Sequence, residues 1–263
     1  MKPIVKYQGG KTRELSLIKE MLPQGFTRVV EPFCGGSAVA FGLGYPALLT
    51  DINKNIINLY DVVSAGEYQK LQNAVDHLKT LDHNALEPIY YTSRDIINSD
   101  TSVHSKYERA RAYIVVRQLC FSGMERYNAQ GIFNVPFGHY QKFACNLSQE
   151  HHNFLKKCTF NIGSFVYTFP EITSDDFAFI DPPYLDRLGY SENDGGIELH
   201  KELHTHVVNT TSKWMIVHSD HEFYREMYKD FNFITKDFGY AQRFGKNKNH
   251  LNAKVKHLYI TNY

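Results

Sequence analysis

Arg28-Val29-Val30-Glu31-Pro32-Phe33-Cys34-Gly35-Gly36-Ser37, running into Ala38-Val39-Ala40-Phe41, joins a short apolar run to a double glycine and a helix-compatible stretch. The run reads as a buried strand. The glycines leave backbone N–H groups unshielded near a helix N-terminus, where a ligand can approach closely. Strand, glycine turn and helix in that order open a Rossmann-like unit. A second run, Ala47-Leu48-Leu49-Thr50, stops at Asp51-Ile52-Asn53, and a helical pattern follows through Ile56, Ile57 and Tyr60. Asp51 therefore ends the second strand, 20 positions after Glu31, where an acid accepts hydrogen bonds from ribose hydroxyls. A glycine turn alone can equally be unliganded; paired with Asp51 it points to a nucleoside-containing cofactor.

Outward from this unit the periodicity changes several times. Residues 65–82 and 105–120 read as amphipathic helices, with Tyr68, Leu71, Val75, Leu78 and Leu81 on one face of the first. Between Phe121 and Tyr140, Asn128-Ala129-Gln130-Gly131 sits between short aromatic stretches, as in a hairpin or ordered loop. A short helix over 148–157 has Ser148 as its N-cap. Phe177-Ala178-Phe179-Ile180 then reads as a buried strand, and the prolines of Asp181-Pro182-Pro183-Tyr184 stop it. An acid and an aromatic are thereby left at the carboxyl edge of the sheet. Further strands are expected at 214–217, 231–238 and 255–261, with helices near 198–209 and 221–230. The fold class is α/β: a sheet domain from 1–54 and 166–263, with a mainly helical domain over 55–165 inserted in it and carrying the hairpin.

The chain has 263 residues, 43% hydrophobic and 22% charged, which rules out disorder and leaves room for a sizeable core. Its net charge of +1 names no partner, but the charge is unevenly spread. Residues 1–30, 101–145 and 236–257 carry +4, +4 and +5, whereas 170–205 carries −7. Such asymmetry fits one face meeting a polyanion, and fits ordinary solvated faces as well. Cys34, Cys120, Cys145 and Cys158 show no paired spacing. The first residues lack a signal-peptide core and no run is long enough to span a membrane, so a cytoplasmic chain with reduced thiols is expected. Gly9-Gly10-Lys11-Thr12 resembles the end of a phosphate-binding loop, but the glycine needed at position 5 is Val5. His200, His204 and His206 share a helix without the spacing or third ligand of a zinc site, so no metal is expected. His218-Ser219-Asp220-His221 follows a strand and reads as a polar strand end, with a place in the cleft as the alternative.

Asp181-Pro182-Pro183-Tyr184 is the most specific motif. A carboxylate and the Pro182 carbonyl can accept the two hydrogens of an exocyclic amine, while Tyr184 offers a face for stacking a base. Holding both hydrogens in a tetrahedral arrangement localises the nitrogen lone pair for attack.

On these residues the chain resembles the Dam-like DNA adenine N6-methyltransferases. Lys6-Tyr7-Gln8-Gly9-Gly10-Lys11 is similar to the family's first motif, 31–37 to its cofactor loop and 181–184 to its catalytic tetrapeptide. Arg126-Tyr127-Asn128, Gly131 and Phe133-Asn134-Val135-Pro136-Phe137-Gly138 are similar to its DNA-contacting hairpin. The resemblance implies S-adenosylmethionine as cofactor, contacted by Tyr7, Lys11, Asp51 and Asp181, with Glu31, Phe33 and Gly35 in the same loop. It implies double-stranded DNA as partner, with the adenine flipped out of the duplex to Asp181, Pro182, Pro183 and Tyr184. It further implies a GATC or GATC-containing site, a bacterial or phage-infected cell, and a restriction endonuclease acting on the same site without direct contact. Arg126 suits a guanine edge and Tyr127 a wedge in the opened stack; a phosphate contact and a core aromatic are the alternatives. Asn128, Asn134, Pro136 and Lys142 complete the expected DNA contacts. Arg109, Arg111, Lys142, Arg243, Lys246 and Lys248 are expected on phosphates. N4-cytosine methylation and a DNA-binding relative that has lost catalysis are the competing readings.

Overall fold

Alternate residues of the apolar runs face opposite sides of one sheet, which is why so short a strand as β1 (Arg28–Glu31) is buried on both faces. The computed structural model describes residues 1–140, 143, 145–184, 196–241 and 252–263. Ahead of β1, a turn of 3-10 helix at Lys11–Arg13 leads into α1 (Leu15–Glu20). After it come α2 (Ala38–Leu43), β2 (Ala47–Asp51) and α3 (Lys54–Val62), the last capped by the Asn53 side chain accepting from Asn55 N.

Helices α4 (Tyr68–Thr80), α5 (His83–Asn98), α6 (Lys106–Leu119) and α7 (Gln149–Leu155) then precede β3 (Thr159–Ile162) and β4 (Asp176–Ile180). The chain closes with α8 (Ile197–Asn209), β5 (Lys213–Ser219), α9 (Glu222–Met227), β6 (Asn232–Ala241) and β7 (Asn252–Thr261). Strand order is β3-β2-β1-β4-β5-β7-β6, with β7 antiparallel to both neighbours and the other pairs parallel. This is a Rossmann-like sheet, as the sequence predicts.

Three elements, α1, β3 and α5, escape the sequence reading. β3 lies at the sheet edge with all four residues at least partly exposed, so no buried apolar run marks it. It falls inside the 55–165 span and yet pairs with β2, Leu48↔Thr159 through Asp51↔Ile162. α5 carries Pro88 in its interior, a residue that normally breaks the helical pattern. It forms because Asp82 caps Ala85 N and Leu86, Tyr90 and Ile97 reach the core.

The core divides by sheet face. Val29, Leu49, Phe177 and Phe179 join α2 and the helices α3 to α7 in one continuous cluster. Val30, Leu48, Ala178 and Ile180 face α8 and α9 on the other side, with Trp214, Ile216 and Tyr224. Among the described residues, the helical segment thus packs against the sheet with no separate core of its own.

Arg109 departs from its expected phosphate role. It is buried and donates to the carbonyls of Ile96, Ile97 and Ser99 around the end of α5, and to Asn55 Oδ1. Arg111, one residue from the next turn, is exposed. Among the described residues no helix is long and apolar enough to cross a membrane.

Candidate active site and recognition loop

Parallel pairing of β1 with β2 and β4 brings their carboxyl ends together, and with them Glu31, Asp51 and Asp181. Asp51 is committed to backbone: Oδ2 accepts from Gly35 N at 2.7 Å and Oδ1 from Asn53 N at 2.8 Å. Burial pushes its pKa up to about 6 despite these two bonds. Glu31 is buried beneath the glycine turn, and its Oε1 accepts from Ala40 N at 2.7 Å in the first turn of α2. Burial raises it further, to about 8, against the pull of that bond. Part of Glu31 therefore serves the helix, whose N-cap Ser37 makes no side-chain cap.

The glycines make room for Tyr7. A Cβ on Gly35 would lie 2.7 Å from a Tyr7 ring carbon, and one on Gly36 would lie 2.7 Å from Tyr7 Cβ. Gly35 also holds φ at 43°, and its carbonyl accepts from Tyr60 OH at 2.8 Å. Tyr7 is half-buried, with the Arg117 guanidinium 5.3 Å from its ring centroid. Phe33 is half-buried against Phe165, ring centroids 5.1 Å apart, and Ile52 beside Asp51 is 79% exposed.

Asp181 follows directly on β4, as the prolines predict. Its Oδ2 is paired with the buried Lys11 Nζ, which also donates to Gly9 O at 2.9 Å. Asp181 Oδ1 takes no hydrogen bond among the described residues. Pro182 and Tyr184 are buried, Pro183 half-buried, and Lys11 Nζ lies 5.3 Å from the Tyr184 ring centroid.

Beneath the tetrapeptide is a polar layer that the sequence did not disclose. The His257 ring meets Tyr184 edge-on at 5.6 Å, and its Nδ1 lies 2.9 Å from Glu14 Oε2, which also accepts from Tyr259 OH. Burial raises the Glu14 pKa, but the hydrogen bonds of His257 and Tyr259 and the charges of Lys11 and His257 together more than reverse it. His218 is fully buried and stacked on Tyr224 at 3.7 Å, so this histidine is core rather than cleft lining. Glu14 and His257 stand 243 residues apart, and no local signal connects them.

The three histidines of α8 diverge. His200 bonds Tyr224, His204 meets Tyr228 and His206 stacks on Phe169. Among the described residues no group of three metal-ligating side chains is spaced to hold an ion.

Residues 119–138 form a hairpin with two antiparallel bridges, Cys120↔Phe137 and Tyr127↔Phe133. Asn128 Oδ1 builds its turn by accepting from Gln130 N and Ile132 N, and Gly131 takes the left-handed conformation there, φ 72°. On the returning arm, Phe133, Val135 and Phe137 are buried while Asn134 and Pro136 are exposed, a strict alternation. Asn98 pins that arm by accepting from Phe133 N and donating to Phe133 O. Arg126 is exposed and crosses the hairpin, Nε donating to Asn134 Oδ1 at 2.8 Å. Tyr127 is 37% exposed, rests edge-on against Phe133 and donates to Glu125 Oε1.

Five of the six residues expected to contact DNA thus share one hairpin, four of them exposed and Asn128 half-buried. Lys142, like Arg243, Lys246 and Lys248, lies outside the described residues.

Residues 7–242 match the family model for D12 class N6 adenine-specific DNA methyltransferases. The chain is 32% identical, over the full length of both proteins, to the type II methyltransferase M.CviBI of Paramecium bursaria Chlorella virus NC1A. It is 30% identical to the type II methyltransferase M.MjaIII of Methanocaldococcus jannaschii, covering 70% of this chain and 69% of that one. To the DNA adenine methylase of Escherichia coli K12 it is 31% identical, covering 68% of this chain and 64% of the relative. The strand order, the glycine turn and the Asp-Pro-Pro-Tyr edge agree with these matches, and the chain belongs to the D12 class of N6 adenine-specific DNA methyltransferases.

Proposed function

We propose that the protein transfers a methyl group from S-adenosylmethionine to N6 of an adenine flipped out of duplex DNA, within GATC or a site containing it. The observation that carries this reading is Asp181, with Oδ2 held by Lys11 and Oδ1 without a hydrogen bond among the described residues, followed by Pro182 and Tyr184 on the sheet edge that also bears Asp51 and the glycine turn. The donor set suits the cofactor: three carboxylates with one buried lysine match a ribose and a cationic methionine portion, and Tyr7 closes against Gly35 and Gly36. S-adenosylmethionine, when bound, supplies an electrophilic methyl group. Asp51 would hold the ribose, with Lys11, Asp181 and Tyr7 lining the remainder; Glu31, Phe33 and Gly35 shape the loop from behind.

Asp181 Oδ1 and the Pro182 carbonyl would accept the two amino hydrogens, turning the nitrogen lone pair toward the methyl carbon. Oδ1 would also take the proton the nitrogen sheds once its new bond has formed. Tyr184 would stack on the base. Catalysis on this account is positioning and electrostatics, with no covalent enzyme intermediate. The N6 of a base stacked within the helix is out of reach of a protein carboxylate, which is the argument for flipping.

The hairpin would read the site. Arg126 offers a guanidinium to guanine O6 and N7, Tyr127 stands as a wedge, and Asn128, Asn134, Pro136 and Lys142 contact the flanking duplex. Residues 55–165 would serve as the recognition domain and 1–54 with 166–263 as the catalytic one. The GATC assignment rests on the similarity of residues 126–138 to the Dam-like hairpin. We place the enzyme in the cytoplasm of a bacterial or phage-infected cell, with any cognate endonuclease sharing its site but not touching it.

Incubating the protein with duplex DNA and labelled cofactor, then mapping the modified base, tests this. N6-methyladenine at GATC is expected. No transfer to any duplex while cofactor binding is intact would sink the reading, and N4-methylcytosine would reassign the base.

A further inference from the structure

Glu125 sits where the hairpin meets the cofactor end of β2, and three side chains converge on its carboxylate. Oε1 accepts from Asn53 Nδ2 at 2.8 Å and from Tyr127 OH at 2.7 Å, while Oε2 lies 2.6 Å from Arg117 Nη1. We propose that Glu125 is a positioning residue that ties the recognition hairpin to the cofactor-binding edge, so that occupancy of either site alters affinity at the other. The proposal rests on the cofactor and DNA assignments above.

Two routes lead from Glu125 to the cofactor residues. The first runs through Asn53, a three-way junction. Its side-chain amide donates to Glu125, its backbone N donates to Asp51 Oδ1 at 2.8 Å, and its side-chain oxygen caps α3 by accepting from Asn55 N at 3.0 Å. A ligand that takes hydrogen bonds to Asp51 acts on Asn53, and through it on Glu125.

The second route runs through Arg117, which is fully buried. Its guanidinium donates to Lys6 O at 2.9 Å on the segment carrying Tyr7, and to Gly123 O at 3.0 Å and Met124 O at 2.8 Å on the arm entering the hairpin. Burial disfavours the Arg117 charge, and Glu125, the largest opposing influence, together with Tyr113, Cys120 and Tyr7 more than restores it. From Glu125 to the DNA-reading side the path is short: Tyr127 is bonded to it and Arg126 is its chain neighbour. Chain geometry alone would not require an acid here, because the two bridges and the Asn128 turn already close the hairpin. By thermodynamic linkage, the coupling must act equally in both directions.

The test is the dissociation constant of S-adenosylhomocysteine measured with and without a duplex carrying the mapped methylation site, in the unmodified protein and in Asn53→Asp, Glu125→Gln and Tyr127→Phe. Asn53→Asp is the most telling variant: its carboxylate can still cap α3 but no longer donates to Glu125 and repels it. The unmodified protein should show a ratio of roughly fivefold or more between the two conditions. Asn53→Asp should bring that ratio to near unity while binding of S-adenosylhomocysteine alone changes by less than about threefold. Glu125→Gln and Tyr127→Phe should give intermediate ratios. A ratio near unity in the unmodified protein, or an unchanged ratio in Asn53→Asp and Glu125→Gln, overturns the proposal. If Asn53→Asp binds no S-adenosylhomocysteine, Tyr127→Phe decides, since it leaves Asn53 and Asp51 untouched. An unmodified protein that binds no S-adenosylhomocysteine fails at the cofactor assignment instead, which the same titration distinguishes.

Discussion

The sheet edge and the hairpin hold their functional side chains in opposite ways. At the edge, each acid is fixed by its own chain before any ligand arrives: Asp51 by two backbone N–H groups, Glu31 by the start of α2, Asp181 by a lysine 170 residues away. On the hairpin, Arg126 and Asn128 are held by neighbours a few residues off, and Arg126 lies in solvent. Methyl transfer needs atoms placed to a fraction of an ångström, and the acids proposed for it sit at strand ends, each bonded to backbone or to a buried lysine. The proposed base-reading side chain Arg126 projects into solvent from a pinned hairpin, which leaves its exposed tip room to adjust to a deformable partner.

Four substitutions probe this contrast, in descending order of effect. Asp181→Ala should abolish transfer, a loss of roughly 10²–10³-fold or more, while DNA binding by gel shift stays measurable; retained activity would remove Asp181 from its role. Gly35→Ala should destabilise the protein by about 1–3 kcal/mol in urea unfolding, because the added Cβ meets the Tyr7 ring and φ is left-handed. It should weaken cofactor binding as well. Arg126→Ala should narrow the preference for the cognate site over single-mismatch sites by about 1–3 kcal/mol and leave folding stability unchanged. An unfolding midpoint as low as that of Gly35→Ala would mean that the hairpin is as rigidly built as the edge.

The smallest effect concerns Glu31. Its carboxyl is raised from 4.5 to about 8 in the folded protein, so the folded state binds more protons than the unfolded chain across that window. Stability from this group is therefore fully present below about pH 4.5 and falls as pH rises toward 8. Asp51 acts in the same sense between 3.8 and about 6. Glu31→Gln can keep an oxygen for Ala40 N without titrating. Its melting temperature should decline less between pH 5 and 8 than that of the unmodified protein, by a few degrees at about 2–4 °C per kcal/mol. Parallel declines in the two proteins would contradict the assignment.

What could be read from sequence was whatever is local. The glycine turn, Asp51 and Asp181-Pro182-Pro183-Tyr184 each combine a strand end with a chemical group in a few residues, and all lie where the pattern places them. The hairpin was legible through its Asn-x-x-Gly turn. β3 was not, because an exposed edge strand lacks apolar periodicity, and α5 was hidden by Pro88. Arg109 misled because a buried helix-capping arginine and a phosphate-binding one look alike in a basic stretch. Glu14, Glu125 and Asn53 gave no signal, since their partners lie far along the chain or their role depends on a junction formed only on folding.

The continuous cluster joining Val29, Leu49 and Phe177 to Tyr90, Val116 and Phe137 bears on how specificity can be exchanged between relatives. The helical segment is not a cassette. Transplanting it whole from a relative would import one half of an interlocked jigsaw, whose facing residues in the sheet would have to be rewritten with it. A graft confined to the outward positions of the hairpin, such as 126, 134 and 136, touches none of that packing. Divergence of target sites within such a fold is accordingly cheapest at loop tips, and exchanging those few positions is the practical unit for redesign.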